Sequence, residues 1–429
     1  MAEEILSAPA AAPLDEARHI RRLMVFFAVV YVVEGFGQVG GLISQPLSFY
    51  LKEAKGWSPL QVTAYLTIFN FPWIIKPVYG IVSDFVPLFG YRRKAYLILA
   101  NALGAIAYFS ATRLGESHTL GLVLLLTAYA MAISSTLCGA LLVENGQRFS
   151  SSDAFVNQQW LWFNVAAMAS ALIGGELVQH LSPEGALHGA AAIVALAPIS
   201  AILATLYLID ESRSRADFGQ LKKTFHALVA TFAVRDLWVI AIFLFLYYLN
   251  PGFGTPLYFY MTDSLKFSQA YIGILGAISS AGWVLGALFY RRFMRGLTSR
   301  ALINLSILLG TVTTAAYLLL FGEVSAAFVN FASGIANCIA FVATLTLVAD
   351  YCPQRAEGFA FALMMSLLNL ATSVSNNLGS YLYEHVFANR LDPLIILSAG
   401  FTALIFLFVP MLRLRSKEAG AAAHRPTDT

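Results

Sequence analysis

Three ionisable side chains interrupt long apolar stretches: Glu34 in "YVVEGFGQVGG", Lys76 in "NFPWIIKPVYG" and Glu176 in "IGGELVQ". In hydrocarbon such a group costs about 2.5–3.5 kcal/mol on insertion scales, so its retention points to function. A carboxyl group taken out of water favours its neutral form and can exchange a proton. Glu34 fits three roles: a proton site, an acceptor for ligand N–H groups, or a structural partner to a neighbouring helix. Gln38, Gly41 and Gln45 follow it at helical spacing, which predicts one polar stripe whose glycines admit a close neighbour. Lys76 shares a predicted face with Asn70 and Trp73. It can bind a carboxylate, pair with an acid such as Glu144, or snorkel to the membrane interface. Glu176 lies late in its run and suits a structural or gating role.

Uncharged polar residues repeat at steps of three or four in other runs. They include Gln158, Trp162 and Asn164; Tyr247, Asn250 and Thr255 around Pro251-Gly252; Asn330, Ser333, Asn337 and Thr344; and Ser366, Asn369, Ser373, Asn376 and Ser380. Hydrogen bonding between helices also explains such stripes, but is worth only about 0.6 kcal/mol on average. Their number favours a wet cavity. Trp73 and Trp162 are the aromatics best placed to stack a flat ring. A second set, Asp84, Arg92, Arg93, Glu144, Arg148, Asp350 and Arg355, stands at run ends and suits a gate of charge-assisted hydrogen bonds. Asp84 can pair with a basic residue or a helix N-terminus, while Pro87 and Gly90 fix a tight turn. The alternative for this set is a solvated turn that only sets topology.

These residues need elements to hold them. The chain has 429 residues, 58% hydrophobic and 12% charged, with a mean hydropathy of +0.70. A soluble domain carries about 25% charged residues, so this chain cannot face water everywhere. Its apolar runs reach roughly 20 residues, enough to cross about 30 Å of hydrocarbon. The alternating short strands of a barrel are absent. Twelve transmembrane helices are expected, over 22–50, 59–82, 94–113, 120–144, 153–180, 187–209, 236–262, 269–290, 300–321, 324–349, 357–387 and 391–413. The first apolar run is too long for a cleavable signal and lacks a small-residue cleavage site, so the mature chain is expected to start near Met1.

Cys138, Cys338 and Cys352 have no motif spacing, and the seven histidines are scattered, so neither a disulfide framework nor a metal site is expected. No nucleophile–base pair, Walker loop or nucleic-acid motif appears. The expectation is a protein that is not an enzyme, needs no cofactor, binds no nucleic acid, is not driven by ATP and is monomeric.

Charge orders the spans. Of 27 Lys and Arg, 21 fall in the N-terminal arm, the even-to-odd connections and the C-terminal tail. Lys52, Lys55, Arg113, Lys266 and Arg390 fall on the other side, and Lys76 lies within a span. The positive-inside bias then places both termini in the cytoplasm, with the chain in the cell's inner membrane or an equivalent organelle membrane.

The chain also repeats. "GYRRKAYLILANALG" (90–104) matches "GLTSRALINLSILLG" (296–310) at an offset of 206, which also carries Glu144 onto Asp350. Gln147-Arg148 maps onto Gln354-Arg355, and Asn164 falls near Asn369. Two six-helix halves are expected, 22–209 and 236–413, flanked by an arm (1–21) and a tail (414–429). The connection 210–235 places Phe218, Leu221, Phe225, Leu228 and Phe232 on one face, an amphipathic helix lying on the membrane surface. Parallel six-helix repeats about an axis along the membrane normal are the plan of major facilitator transporters, with the substrate near the midplane between the halves. In that plan the twelfth helix, poor in polar groups, faces lipid.

"PWIIKPVYGIVSDFVPLFGYRRKAYL" resembles the signature of the folate–biopterin transporter family around its second and third helices. The stretches 48–62, 256–293 and 350–383 resemble other regions of that family, so the likeness covers nearly the whole chain. At Glu34 many members carry an uncharged amide, and "LLVENGQRFS" keeps only the acid and the arginine. These departures bear on substrate more than on fold. The resemblance implies a secondary transporter working by alternating access. Its substrate would be folate, a pterin or a related organic anion, and its drive a proton. Two other readings stay open: a facilitator for another small organic solute, and a non-transporting membrane assembly factor, a role held by distant relatives.

Overall fold

The computed structural model describes residues 13–215, 235–294, 296–351 and 357–412. Its helices group into twelve spans: α1 (Pro13–Gly37, then Ser44–Phe49 and Tyr50–Ala54), α2 (Pro59–Ile68, Phe71–Ile74 and Lys76–Phe85), α3 (Lys94–Ala111), α4 (Ser117–Arg148), α5 (Ser152–His180), α6 (Pro183–Leu208), α7 (Arg235–Tyr248 and Gly254–Asp263), α8 (Gln269–Phe289 and Tyr290–Met294), α9 (Ser299–Ala316 and Tyr317–Leu319), α10 (Glu323–Tyr351), α11 (Glu357–Tyr381 and Leu382–Val386) and α12 (Leu391–Leu404 and Ile405–Met411). The amphipathic segment expected within 210–235 lies mostly outside the described residues.

The spans α1 and α2 are broken where continuous helices were expected. In α1 the "GQVGG" run turns back so tightly that a Cβ on Gly41 would lie 2.5 Å from the Gly35 carbonyl oxygen. Gln38 therefore follows the helix end, and the expected stripe from Glu34 through Gln45 is interrupted. In α2, Pro72 and Pro77 each remove an N–H and obstruct the preceding turn, which breaks the helix at 69–70 and at Ile75. The span α7 opens at 249–253, beside Pro251-Gly252, as its residues suggested.

These breaks sort the spans. Among the described residues, eight helices are long and apolar enough to cross a membrane, in α3–α6, α8–α10 and α12. The others, α1, α2, α7 and α11, are broken or rich in Ser and Asn. Non-helical backbone at membrane depth is tolerated where it is buried in protein or lines a cavity. The periphery has the opposite character: α3, α6, α9 and α12 expose Ile106, Leu196, Val312 and Leu407.

The halves meet along two seams. Where α5 meets α8, a Cβ on Gly175 would lie 2.9 Å from the Gly273 Cα, and one on Gly276 would lie 2.9 Å from the Ala171 Cβ. Where α2 meets α11, the contacts are hydrogen bonds: Thr63 with Ser380 (2.7 Å), Asn377 Nδ2 to Thr67 (2.7 Å) and Asn70 Nδ2 to Ser373 (3.2 Å). Asn369 Nδ2 donates to the Trp73 carbonyl at 3.3 Å. That carbonyl is unmatched within α2 because Pro77, four residues on, has no N–H.

One face of the molecule carries the 86–93 turn and the segment after α6. We call it the basic face. There Phe89 (φ 53°) and Gly90 (φ 85°) make a two-residue hairpin closed by two Leu88–Tyr91 hydrogen bonds of 2.9 Å. Glu211 accepts from the backbone N–H groups of Arg92 and Lys94, at 2.8 and 2.7 Å, and so caps the start of α3. Arg22 pairs with Asp210 at 2.8 Å.

Candidate functional site

A cavity of about 440 Å³ lies between the halves, within the usual range for small-molecule sites. Both broken first spans reach it, α1 through Val39–Leu42 and α7 through Gly254 and Thr255. Ser44, Gln45, Thr67, Asn70, Tyr258 and Asn376 add polar atoms, and Phe69 and Ile272 add apolar surface. Among the described residues, the wall has no ionisable acid or base other than the Tyr258 phenol. Helices broken at corresponding positions of two repeats point to a transporter's binding site.

The charged residues gather beside this cavity, toward the basic face. Glu34 Oε1 accepts from Ser135 Oγ at 2.9 Å, and Ser135 Oγ accepts from Lys76 Nζ at 3.0 Å. The ammonium also stands 4.4 Å over the Trp73 ring. The second break in α2 explains the position: Lys76 opens a new helical piece, Lys76–Phe85. A cation at a helix N-terminus is opposed by the macrodipole. The nearby Glu34 charge and the negative face of the indole offset that opposition.

Of the twelve sequence-predicted site residues, Asn70 alone belongs to the cavity wall. Glu34, Trp73 and Lys76 come together around Ser135. Asn369 and Ser373 are placed in the α2–α11 seam. Gln158 Oε1 accepts from Trp162 Nε1 at 2.6 Å, so these two satisfy each other on α5. Asn250 Nδ2 donates to Thr402 of α12 at 3.3 Å, and Asn330 is tied to the Ala326 carbonyl at 2.8 Å. Both bond within the second half, and neither lines the cavity. Asn337 is exposed on α10, and Gln38 is half-buried outside the cavity wall. Lys76 does not pair with Glu144, which instead meets Arg93.

The second charged set closes on one half. The guanidinium of Arg93, which is buried, engages Asp84, Ser83 and Glu144 (2.8 Å to the last), joining the ends of α2, α3 and α4. Arg92 is exposed, and Arg148 stacks on Phe149 at 5.1 Å. A gate was expected of this set; its described contacts stay within the first half, where they tie α2, α3 and α4 to one another. Arg355 and the side chain of Asp350 lie outside the described residues. Glu176 pairs with His180, one turn on, at 3.2 Å near the opposite face.

Sequence reasoning missed Ser135, the residue that links the two charges. Its only signal is the small polar run "ISST" at 133–136 of α4, which by itself reads as helix packing.

The BT1 family model matches residues 36–413 of this chain. The chain is 30% identical over 368 residues to the folate-biopterin transporter of Synechocystis sp., covering 82% of this chain and 73% of that one. It is 23% identical over 395 residues to folate transporter 1 of Plasmodium falciparum, covering 86% and 75%. Among solved structures it resembles the nucleoside transporter NupG, with a TM-score of 0.70 and 15% identity over 92% of this chain and 100% of that one. A POT family peptide transporter in complex with sulfate gives a TM-score of 0.70 at 11% identity, over 91% and 94%. At these identities the structural likeness speaks for fold alone.

Proposed function

This chain belongs to the BT1 family, and from that premise we propose that it moves folate, a pterin or a related organic anion by alternating access, coupled to protons. It is a multi-pass membrane transporter of the major facilitator fold, with a small-molecule substrate, and not an enzyme. The Glu34–Ser135–Lys76 bridge beside a cavity shared by both halves is the observation that carries the proposal.

The chemistry of the bridge supplies a coupling. With Glu34 ionised, its charge compensates Lys76. When Glu34 takes up a proton, Lys76 keeps its ammonium without a nearby counter-ion and attracts a carboxylate on the solute. An anionic solute in turn favours the proton on Glu34, because binding couplings are reciprocal. The neutral wall of the cavity suits hydrogen-bonding groups of a flat heterocycle, and Trp73 offers it a stacking face. The positive-inside rule makes the basic face cytoplasmic. The halves we take as 22–209 and 236–413, in a monomer.

The test is uptake of labelled folate, biopterin and unrelated anions into proteoliposomes, with and without a pH gradient. Glu34→Gln is expected to remove accumulation driven by the gradient while sparing exchange, and unchanged accumulation would reject the proton role. Lys76→Met is expected to weaken uptake of anionic solutes more than that of neutral pterins. Equal losses for both would reject an anion-binding lysine.

A further inference from the structure

The face opposite the basic face carries cross-half contacts that the cavity does not use. The turn before α2 and the turn before α8 are copies of one another. Gly56 (φ 66°) and Lys266 (φ 55°) both take the left-handed conformation. Trp57 N–H reaches the Leu51 carbonyl at 3.1 Å, and Phe267 N–H reaches that of Met261 at 3.0 Å. Ser58 and Ser268 then cap the two helices. The copies register at an offset of 210, which sets Lys52 against Thr262 and Glu53 against Asp263.

Lys52 therefore reaches its own counterpart. Its ammonium donates to Thr262 Oγ1 at 2.9 Å, to Glu53 at 2.9 Å and to Asp263. A residue that touches its repeat mate stands at the axis relating the halves. There one lysine serves two equivalent carboxylates, one from each half. Its side chain is only 11% exposed and lies 5.2 Å over the Phe259 ring, so it is held more firmly than a lysine of an open surface pair.

Two flanking contacts repeat the same logic. Glu384 Oε2 accepts from the Leu60 N–H at 3.3 Å, and Gln179 Oε1 accepts from the Ala270 N–H at 3.3 Å. Leu60 and Ala270 are each the second residue of their helix, where an N–H has no intrahelical partner. Each half thus caps a helix of the other, and opening this face would strip both caps.

We infer that Lys52, flanked by Glu384 and Gln179, forms the gate that shuts the face opposite the basic face and is released when the cavity opens there. The inference rests on the alternating-access reading above. Spin labels at His118→Cys and Arg390→Cys, in a background lacking native cysteines, report the separation of the two halves on that face. The wild-type protein is expected to favour the short distance. In Lys52→Met the longer component should grow several-fold, and the charge swap Lys52→Asp/Asp263→Lys should restore the short one. Glu384→Leu should also lengthen the distance, whereas Glu384→Gln, which keeps an acceptor, should leave it near wild type. Distributions for Lys52→Met that superpose on wild type overturn the gate, as does a well-folded swap that fails to restore closure. A wild-type protein that accumulates solute while holding one distance at every pH and solute concentration rejects alternating access instead.

Discussion

The two seams between the halves occupy equivalent places and are built from opposite chemistry. Thr63 of α2 and Ser380 of α11 share a hydrogen bond of 2.7 Å; the equivalent residues, Gly273 of α8 and Gly175 of α5, bring backbone against backbone. At these equivalent points one seam is held by directional polar pairs and the other by close approach of glycines, while Gln179–Ala270 and Trp160–Trp283 join α5 and α8 elsewhere along their length. In lipid there is little hydrophobic drive for helices to associate, so small residues and polar pairs are the two available means. This chain uses one on each side of its cavity. The difference suggests a division of labour: hydrogen bonds exchange partners as helices slide, whereas a glycine contact tolerates rocking about one fixed point.

The comparison can be broken at its tightest point. Gly175→Leu places side-chain atoms where the Gly273 backbone lies, and overpacking of this kind costs about 1–3 kcal/mol. Transport should be lost and the thermal midpoint should fall. Near-normal uptake by this variant would mean that the seam is looser than described.

A smaller effect is expected from Asn369→Ala. It leaves the Trp73 carbonyl, already deprived of an intrahelical donor by Pro77, without a partner, at a cost of about 1–3 kcal/mol if the group stays dry. Adding Pro77→Ala returns an N–H to that carbonyl and should recover part of the loss in thermal stability. The double variant separates a structural hydrogen bond from a contact with solute: recovery of stability without recovery of transport would assign Asn369 to the solute as well.

Weaker still is Thr63→Ala, which removes one polar pair of an otherwise intact seam. About 0.6 kcal/mol is the average worth of such a bond in a membrane. A slight fall in thermal midpoint with uptake largely retained is the expected result. A loss as large as that from Gly175→Leu would erase the distinction between the seams.

Much of this architecture was legible in the residues. Long apolar runs gave the spans, because crossing hydrocarbon imposes a length and a composition. The repeat was visible through Glu144 and Asp350, although its offset is not constant. It is 210 at the Ser58 and Ser268 caps and falls to about 206 beyond α2, because eight residues separate Phe85 of α2 from Lys94 of α3 and four separate Met294 of α8 from Ser299 of α9. The hairpin at Phe89-Gly90 was legible because glycine tolerates a positive φ. The break in α1 was not, since glycine in a membrane run also serves helix packing, and only the fold chose between the two uses.

The candidate site was legible in part. Glu34 and Lys76 announced themselves, because an ionisable group in an apolar run is costly wherever it points. Asn250 and Asn330 announced themselves equally and proved to serve helices of their own half. An amide is cheap enough to be spent on structure, so its presence does not say which neighbour it serves.

Composition and periodicity alone determined that this chain spans a membrane many times and is internally duplicated, because those properties follow from each residue's own transfer energy and from the order of the chain. That Ser135 links Glu34 to Lys76, that Asn369 answers the carbonyl freed by Pro77, and that Lys52 meets its own repeat mate were decided only in three dimensions. Each joins residues far apart in the chain, and hydrogen bonds and ion pairs act over a few ångströms of space that no spacing along a sequence encodes.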